Sequence, residues 1–316
     1  MSETARDRAE RLTLLPLVDT QTPGRGVQGF AGSVRELATH RELLELLVRR
    51  ELKSRYKDSS LGFLWSLIRP LTMLLIYFIA IGQFLGAARG VPDFAVFVFS
   101  GLTLWGLYSE IVIGGTSSII SNAGLIKKVY LPREIFPLAA TGSAIFNFLI
   151  QFIVLVGATI VTGQFPLSWN LLYLPAAVAI ALVYGVAAAL LFSAVNVYLR
   201  DIQYLVDVGM LVFFWASPIV YAWSFVVDAG VRTGHAWIEQ VYLLNPMSIA
   251  IMAFQRGIWV AGSEPRPTAD GTIISPQPWP DDMNLRLLIV FLIGLVLVFL
   301  AQRVFSKLQG NFAQEI

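Results

Sequence analysis

Residues 122–137 read NAGLIKKVYLPREIFP, and they stand between two long apolar windows at 94–118 and 138–162. The stretch is too polar to cross a lipid bilayer and too apolar to be an ordinary solvated loop. Lys127, Lys128 and Arg133 carry positive charge, Tyr130 and Phe136 are aromatic, and Pro132 and Pro137 interrupt a helix. A short basic and aromatic element at the ends of two spans is suited to press on a soluble partner. The chain therefore reads as one half of a larger machine.

Working outward, six windows are long and apolar enough to cross about 30 Å of hydrocarbon: 63–86, 94–118, 138–162, 171–197, 204–222 and 284–302. The composition agrees. Hydrophobic residues make up 56% of the 316, mean hydropathy is +0.67, and only 14% are charged, against roughly 25% in soluble domains. The predicted class is an all-α polytopic membrane protein with a transmembrane domain over 63–308. A disordered cytosolic tail over 1–33 and a short cytosolic C-terminus over 309–316 flank it. No apolar segment follows the early charges in the manner of a signal peptide.

Eighteen Lys and Arg fall on the side of the N-terminus and five on the other. By the positive-inside rule both termini are expected in the cytoplasm. The basic residues mark topology, so a nucleic-acid partner is not expected. Cysteine is absent and His40 and His235 are the only histidines, which excludes disulfides and any Cys- or His-built metal cluster.

Residues 34–62 are expected to form an amphipathic helix and an elbow. Leu44, Val48, Leu52 and Tyr56 recur every fourth residue with Leu37 and Leu47 near the same stripe, and Arg41, Glu45, Arg49, Arg50 and Lys53 cover the other side. Such a helix suits the headgroup layer of the membrane; packing on a soluble partner is the alternative. Between spans five and six, residues 237–262 are apolar but broken by Asn245-Pro246, and each piece is too short to cross. Two short helices that dip in and return on the outer side are predicted. The Pro-rich 264–280 stretch reads as a solvated loop.

The spans differ in polarity. Thr103, Gly106, Glu110, Gly114 and Ser117 share one face of the second, and Ser143, Asn147 and Gln151 recur at i+4 in the third. The sixth is nearly pure Leu, Ile, Val and Phe, so it is the one expected to face lipid. Glu110, the only carboxylate well inside a span, is either a gate or proton site, or a structural partner for Arg69 or a polar group on a neighbouring helix. The glycines at 106, 114 and 115 suit close helix approach. Tyr77, Phe78, Trp105, Tyr108, Phe214 and Tyr221, with Glu110, are the candidate channel residues, because aromatic rings in a pore can stack on the apolar faces of sugars. Tyr77 and Phe78 stand out, lying near the middle of a span. Many other aromatics are ordinary interfacial anchors.

No G-x-x-x-x-G-K-[ST] occurs, so the chain is not expected to cradle nucleotide phosphates. No Ser–His–acid set or paired acidic cluster lies at membrane depth, and no enzyme activity, cofactor or metal is expected in this chain. An ion-driven secondary transporter would call for inverted repeats and several midplane ionisable groups, of which only Glu110 is present. A membrane glycosyltransferase would need carboxylates near the outer surface. Asp93, Asp228, Glu239 and Asp281 make no such constellation.

Four stretches carry a resemblance: ELLVRRELKSRYKDSSLGFLWSLIRPL at 45–71, NAGLIKKVYLPREIFPLA at 122–139, NVYLRDIQYLV at 196–206 and LLNPMSIAIMAFQ at 243–255. Their order resembles the permease subunit of ABC-2-type polysaccharide exporters, the Wzm and TagG group. The extended basic N-terminus resembles the actinobacterial branch that exports a lipid-linked cell-wall galactan. The resemblance implies a homodimer around a channel, two separate ATPase subunits that bind ATP and Mg, and a lipid-linked polysaccharide as substrate. It assigns Lys127, Lys128, Tyr130, Pro132, Arg133, Glu134, Arg200 and Asp201 to the gate and ATPase-coupling region, and Asn245 and Pro246 to the outer re-entrant helices.

Overall fold

The computed structural model describes residues 27–56, 64–84, 86, 91–129, 131–161, 163, 165–235, 237–267, 273–274 and 276–316. Tyr130, the elbow at 58–62 and the start of the N-terminal tail lie outside these, as do the side chains of Ser66 and Arg69. The described chain is helical. In order it runs α1 (Val27–Thr39), α2 (Arg41–Tyr56), α3 (Trp65–Tyr77), which continues as a π-helix over Phe78–Phe84, α4 (Phe94–Ser121), α5 (Ala123–Ile126) and α6 (Ile135–Val161). There follow α7 (Tyr173–Tyr198), α8 (Ile202–Trp215), α9 (Trp223–Thr233), α10 (Trp237–Leu243), α11 (Pro246–Ile258), α12 (Val260–Ser263), α13 (Met283–Leu308) and α14 (Phe312–Glu315). A two-residue antiparallel pair, Arg266–Pro267 with Ile273–Ile274, interrupts the loop before α13.

Among the described residues four helices are long and apolar enough to cross a membrane: α4, α6, α7 with its preceding 3₁₀ turn, and α13. The six expected windows thus divide. The first becomes α3 and its π-helical extension. The fifth shortens, because α8 stops at Trp215 after 14 residues, about 21 Å at 1.5 Å per residue. Ser217-Pro218 is the reason: proline disfavours helix in the residue before it. Burial within the apolar window falls from 67% in α4 to 22% in α13, so the last helix is the most open, as its composition predicts.

The α4 helix is the hub. Its small residues admit neighbours closely: a Cβ at Gly115 would stand 2.3 Å from Ala189 Cβ on α7, so the two backbones meet where glycine leaves room. The polar stripes of α4 and α6 face each other. Asn147 Nδ2 donates to Glu110 Oε2 at 2.8 Å, and a Cβ at Gly106 would lie 3.5 Å from Gln151 Oε1. Of the two structural partners expected for Glu110, the polar group on a neighbouring helix is present; the side chain of Arg69 lies outside the described residues. On α7, Asn196 Nδ2 donates to Thr116 O at 3.1 Å, binding the third helix of the hub.

Among the described residues two apolar cores result. The larger joins α4, α6, α7 and α11, and the smaller gathers Leu47, Ile126, Phe136, Val197, Phe305 and Phe312 at one end of the bundle. That end carries Lys127, Arg200 and Lys307 and is called the basic end below. The stripe of α2 serves this smaller core: Leu47 is buried, and Val48 sits where a Cβ on Gly142 of α6 would stand 2.7 Å from it. The part of the stripe expected to meet the membrane surface thus packs on the chain's own helices, while Arg41, Glu45, Arg49, Arg50 and Lys53 remain exposed.

Candidate functional site

At the basic end, α5 and the turn after it carry the polar stretch that separates α4 from α6. Lys127 and Lys128 are exposed. With Arg133, Ile126, Leu131 and Phe136 they line a cavity of about 240 Å³. Arg50 of α2 donates to Asn122 Oδ1, and Asn122 Nδ2 donates to Ser118 O at 2.8 Å, so the start of this stretch is tied to α2 and to the last turn of α4. Arg200 and Asp201 are exposed in the turn between α7 and α8.

Glu134 behaves differently from its neighbours. It is 5% exposed and points into the bundle, not outward to a soluble partner. Its Oε1 accepts from Gln302 Nε2 at 3.1 Å and from Ser306 Oγ at 3.3 Å, and the same Gln302 amide reaches Ser33 Oγ at 2.9 Å. Burial pushes the Glu134 carboxyl up; the hydrogen bonds from Gln302 and Ser306 oppose the shift and the nearby Glu36 adds to it. The C-terminal segment completes this end. Phe312 is fully buried, the Arg133 guanidinium stands 5.7 Å from its ring centroid, and Tyr198 Oη donates to Leu308 O at 2.8 Å. The C-terminal segment 309–316 is docked, with Phe312 in the smaller core beneath Arg133 of the basic loop.

The aromatic candidates form a chain of rings. Tyr77 stacks on Phe214 at 5.8 Å, Phe214 meets Trp105 edge-on at 5.7 Å, and Trp105 lies 5.6 Å from Tyr108. Trp215, not singled out in the sequence, joins the run through Tyr77 at 6.4 Å. Thus α3, α4 and α8 supply one continuous run of rings, with Trp105 buried at its centre. Phe78 packs on the core beside it with no ring contact among the described residues. Glu110 belongs instead to the seam with α6. Tyr221 leads away: its hydroxyl donates to Trp215 O at 2.7 Å and accepts from Tyr242 Oη at 3.1 Å.

At the far end, the predicted pair of short helices is present as α10 and α11, parted by Asn245-Pro246. Asn245 Oδ1 accepts from Met247 N at 3.0 Å, capping α11, and Pro246 occupies its first turn. The same Asn245 amide donates to Ala216 O at 3.1 Å and Ser217 Oγ at 3.0 Å. Ser248 Oγ donates to Ala216 O at 3.3 Å, and Gln255 Nε2 to Pro218 O at 2.8 Å. The turn that ends α8 is therefore buried from Ser217 to Val220, with its carbonyls served by α11. Ser248 and Gln255 were missed; their i, i+7 spacing on the apolar α11 was the available signal. The loop read as solvated also packs at its end, where Trp279 stands 6.4 Å from Trp259.

The sequence model of the ABC-2 type transporter family matches residues 42–259. The chain is 30% identical over 283 residues to an O-antigen export system permease protein, RfbA, of Myxococcus xanthus, covering 90% of this chain and 98% of that one. It is 27% identical over 274 residues to the protein of the same description in Klebsiella pneumoniae, covering 86% and 94%. A polysialic acid transport protein, KpsM, of Escherichia coli matches at 25% identity over 56% of this chain and 69% of its own length.

Proposed function

The chain belongs to the ABC-2 type transporter family, and from that premise we propose that it is the channel-forming subunit of an ATP-driven exporter. Its cargo is a lipid-linked polysaccharide of the O-antigen, teichoic acid or galactan kind, moved outward across the bacterial inner membrane. The observation that carries this reading is the nearly end-to-end match to O-antigen export permeases. Such relatives are transport subunits, and the chain is a permease, not an enzyme.

In this reading two copies surround a channel and two ABC ATPase subunits, holding ATP and Mg, dock on the basic end. Six crossings per copy follow if α3 and α8 complete the four long spans. Lipid tolerates irregular backbone only where protein covers it; the covered turn at 217–220 and its α11 donors support a short eighth helix extended by a protein-served turn. Asp207, exposed on the largely apolar α8, supports a face turned toward water or a second copy and away from lipid. Lys127, Lys128, Tyr130, Pro132, Arg133, Arg200 and Asp201 form the surface offered to the ATPase, and Glu134 anchors that surface from within. The rings of Tyr77, Phe214, Trp105 and Tyr108 line the path and stack on sugar faces. Asn245 and Pro246 hold the outer gate.

ATP closes the ATPase pair and shifts the basic loop, and α4 and α6 carry the movement to the rings. ATP biases the channel only by its differential affinity for the closed and open states. The test is glycan export in cells carrying Tyr77→Ala. Export is expected to fall by at least tenfold with lipid-linked glycan accumulating inside, while Tyr77→Phe exports normally. Normal export by a well-folded Tyr77→Ala protein would remove the stacking role.

A further inference from the structure

At the end of the bundle opposite the basic loop, α7 and α13 enclose an open cavity of about 570 Å³. Its floor is apolar: Ala176, Ala179 and Ile180 on one side, Leu287, Leu288 and Phe291 on the other. Its rim carries Asn170, Tyr173 and Asn284 beside the exposed Trp169 and Leu172, and Tyr173 Oη donates to Asn284 Oδ1 at 2.7 Å. From Asn284 to Phe291, and from Tyr173 to Ile180, each helix advances seven residues, about 10 Å. That depth lies within one leaflet of the roughly 30 Å hydrocarbon layer.

A cation stands behind the rim. Arg256 of α11 lies 4.9 Å from the Tyr173 ring centroid, and its Nη1 contacts Met283 Sδ at 3.7 Å. Its Nε is buried with no hydrogen-bond partner. The Asp282 carboxylate, next in sequence to Met283, is engaged by Arg286 at 2.7 Å. An apolar slot one leaflet deep, opening at a rim backed by an arginine with no carboxylate partner among the described residues, suits an anionic amphiphile in shape and charge.

We propose that this groove binds one anionic phospholipid of the leaflet facing away from the basic end. An acyl chain lies between α7 and α13, and the phosphate sits at the rim formed by Asn170, Tyr173 and Asn284 in front of Arg256. The site is separate from the aromatic run and from the basic loop. It links α7, α11 and α13, so the bound lipid braces the helix that serves the turn after α8.

The test is native mass spectrometry of the full chain released from bilayers of phosphatidylglycerol and phosphatidylcholine in equal amounts. The wild-type protein is expected to retain one phosphatidylglycerol with at least a tenfold preference over phosphatidylcholine. Ala179→Trp, which fills the floor of the groove, is expected to lose that retained lipid. Arg256→Gln is expected to keep a lipid but lose the preference. Should Arg256→Gln fail to fold, Asn284→Leu reads the rim instead and is expected to reduce the preference. Equal retention of both lipids by the wild-type protein, or unchanged retention in Ala179→Trp, would overturn the proposal. So would retention of a polyprenyl phosphate in place of phosphatidylglycerol when the bilayer contains both.

Discussion

Glu134 shows how one residue can serve a different role from the loop that contains it. It sits among charged and exposed neighbours, yet it is buried against Gln302 and Ser306. Burial holds its carboxyl above the ordinary value of 4.5. The native state then binds the proton more tightly than the unfolded chain, so stability is greatest at low pH and falls as pH rises through the window above 4.5. Glu134→Gln keeps an amide for Ser306 and removes the titration. As pH rises above 4.5 the wild-type thermal midpoint should fall relative to that of the variant; parallel curves would count against the buried carboxyl. The polar stripes behind Glu110 and Asn147 were legible because i+4 spacing defines a helix face. Their pairing was not, because it depends on the relative register of α4 and α6, which no single-helix pattern contains.

At the scale of elements, two joints carry the argument. Asn245 is both the cap of α11 and a donor to the turn after α8. Asn245→Ala removes a cap and two hydrogen bonds, a loss of about 2–3 kcal/mol, and should loosen the turn enough to raise passive leak of small solutes through proteoliposomes. A variant that is as tight and as stable as wild type would show that the turn holds itself. The second joint is the C-terminal segment. Phe312 is packed by Phe305 at 5.5 Å and Tyr198 at 6.2 Å, beneath Arg133. Truncating a buried phenylalanine costs about 3–5 kcal/mol in a core. Phe312→Ala is therefore expected to free residues 309–316 and to lower export per ATP hydrolysed, while Phe312→Leu restores most of it. Equal coupling in both variants would make the segment a passive tail. Asn245-Pro246 announced its joint through ordinary helix-start chemistry, whereas Phe312 is a lone aromatic in a polar tail, and nothing local predicts its pocket. The early end of α8 was legible in principle from Ser217-Pro218, but apolar composition running on to Ala222 masks it.

At the scale of the molecule, the charge distribution and the four long spans define a bundle with one basic end, and the aromatic run of α3, α4 and α8 stands between that end and the α11 joint. The helical class and the membrane setting were readable from composition because hydrocarbon demands long apolar helices. The surfaces of α3 and α8 are left open in a single copy, with Leu75, Ile76, Leu211 and Val212 all exposed; apolar patterning alone does not distinguish a face for lipid from one for a second copy. The account rests most heavily on a soluble ATPase meeting the basic loop. Its direct measurement is a pull-down of the tagged chain, expressed with its candidate ATPase in mild detergent, with ATP hydrolysis assayed on the eluate. The account predicts an ATPase subunit at one copy per chain and hydrolysis in the eluate, and loss of that subunit when Lys127, Lys128 and Arg133 are all changed to Glu. A permease that elutes alone and without hydrolysis, or a triple variant that retains the ATPase in full, would contradict it.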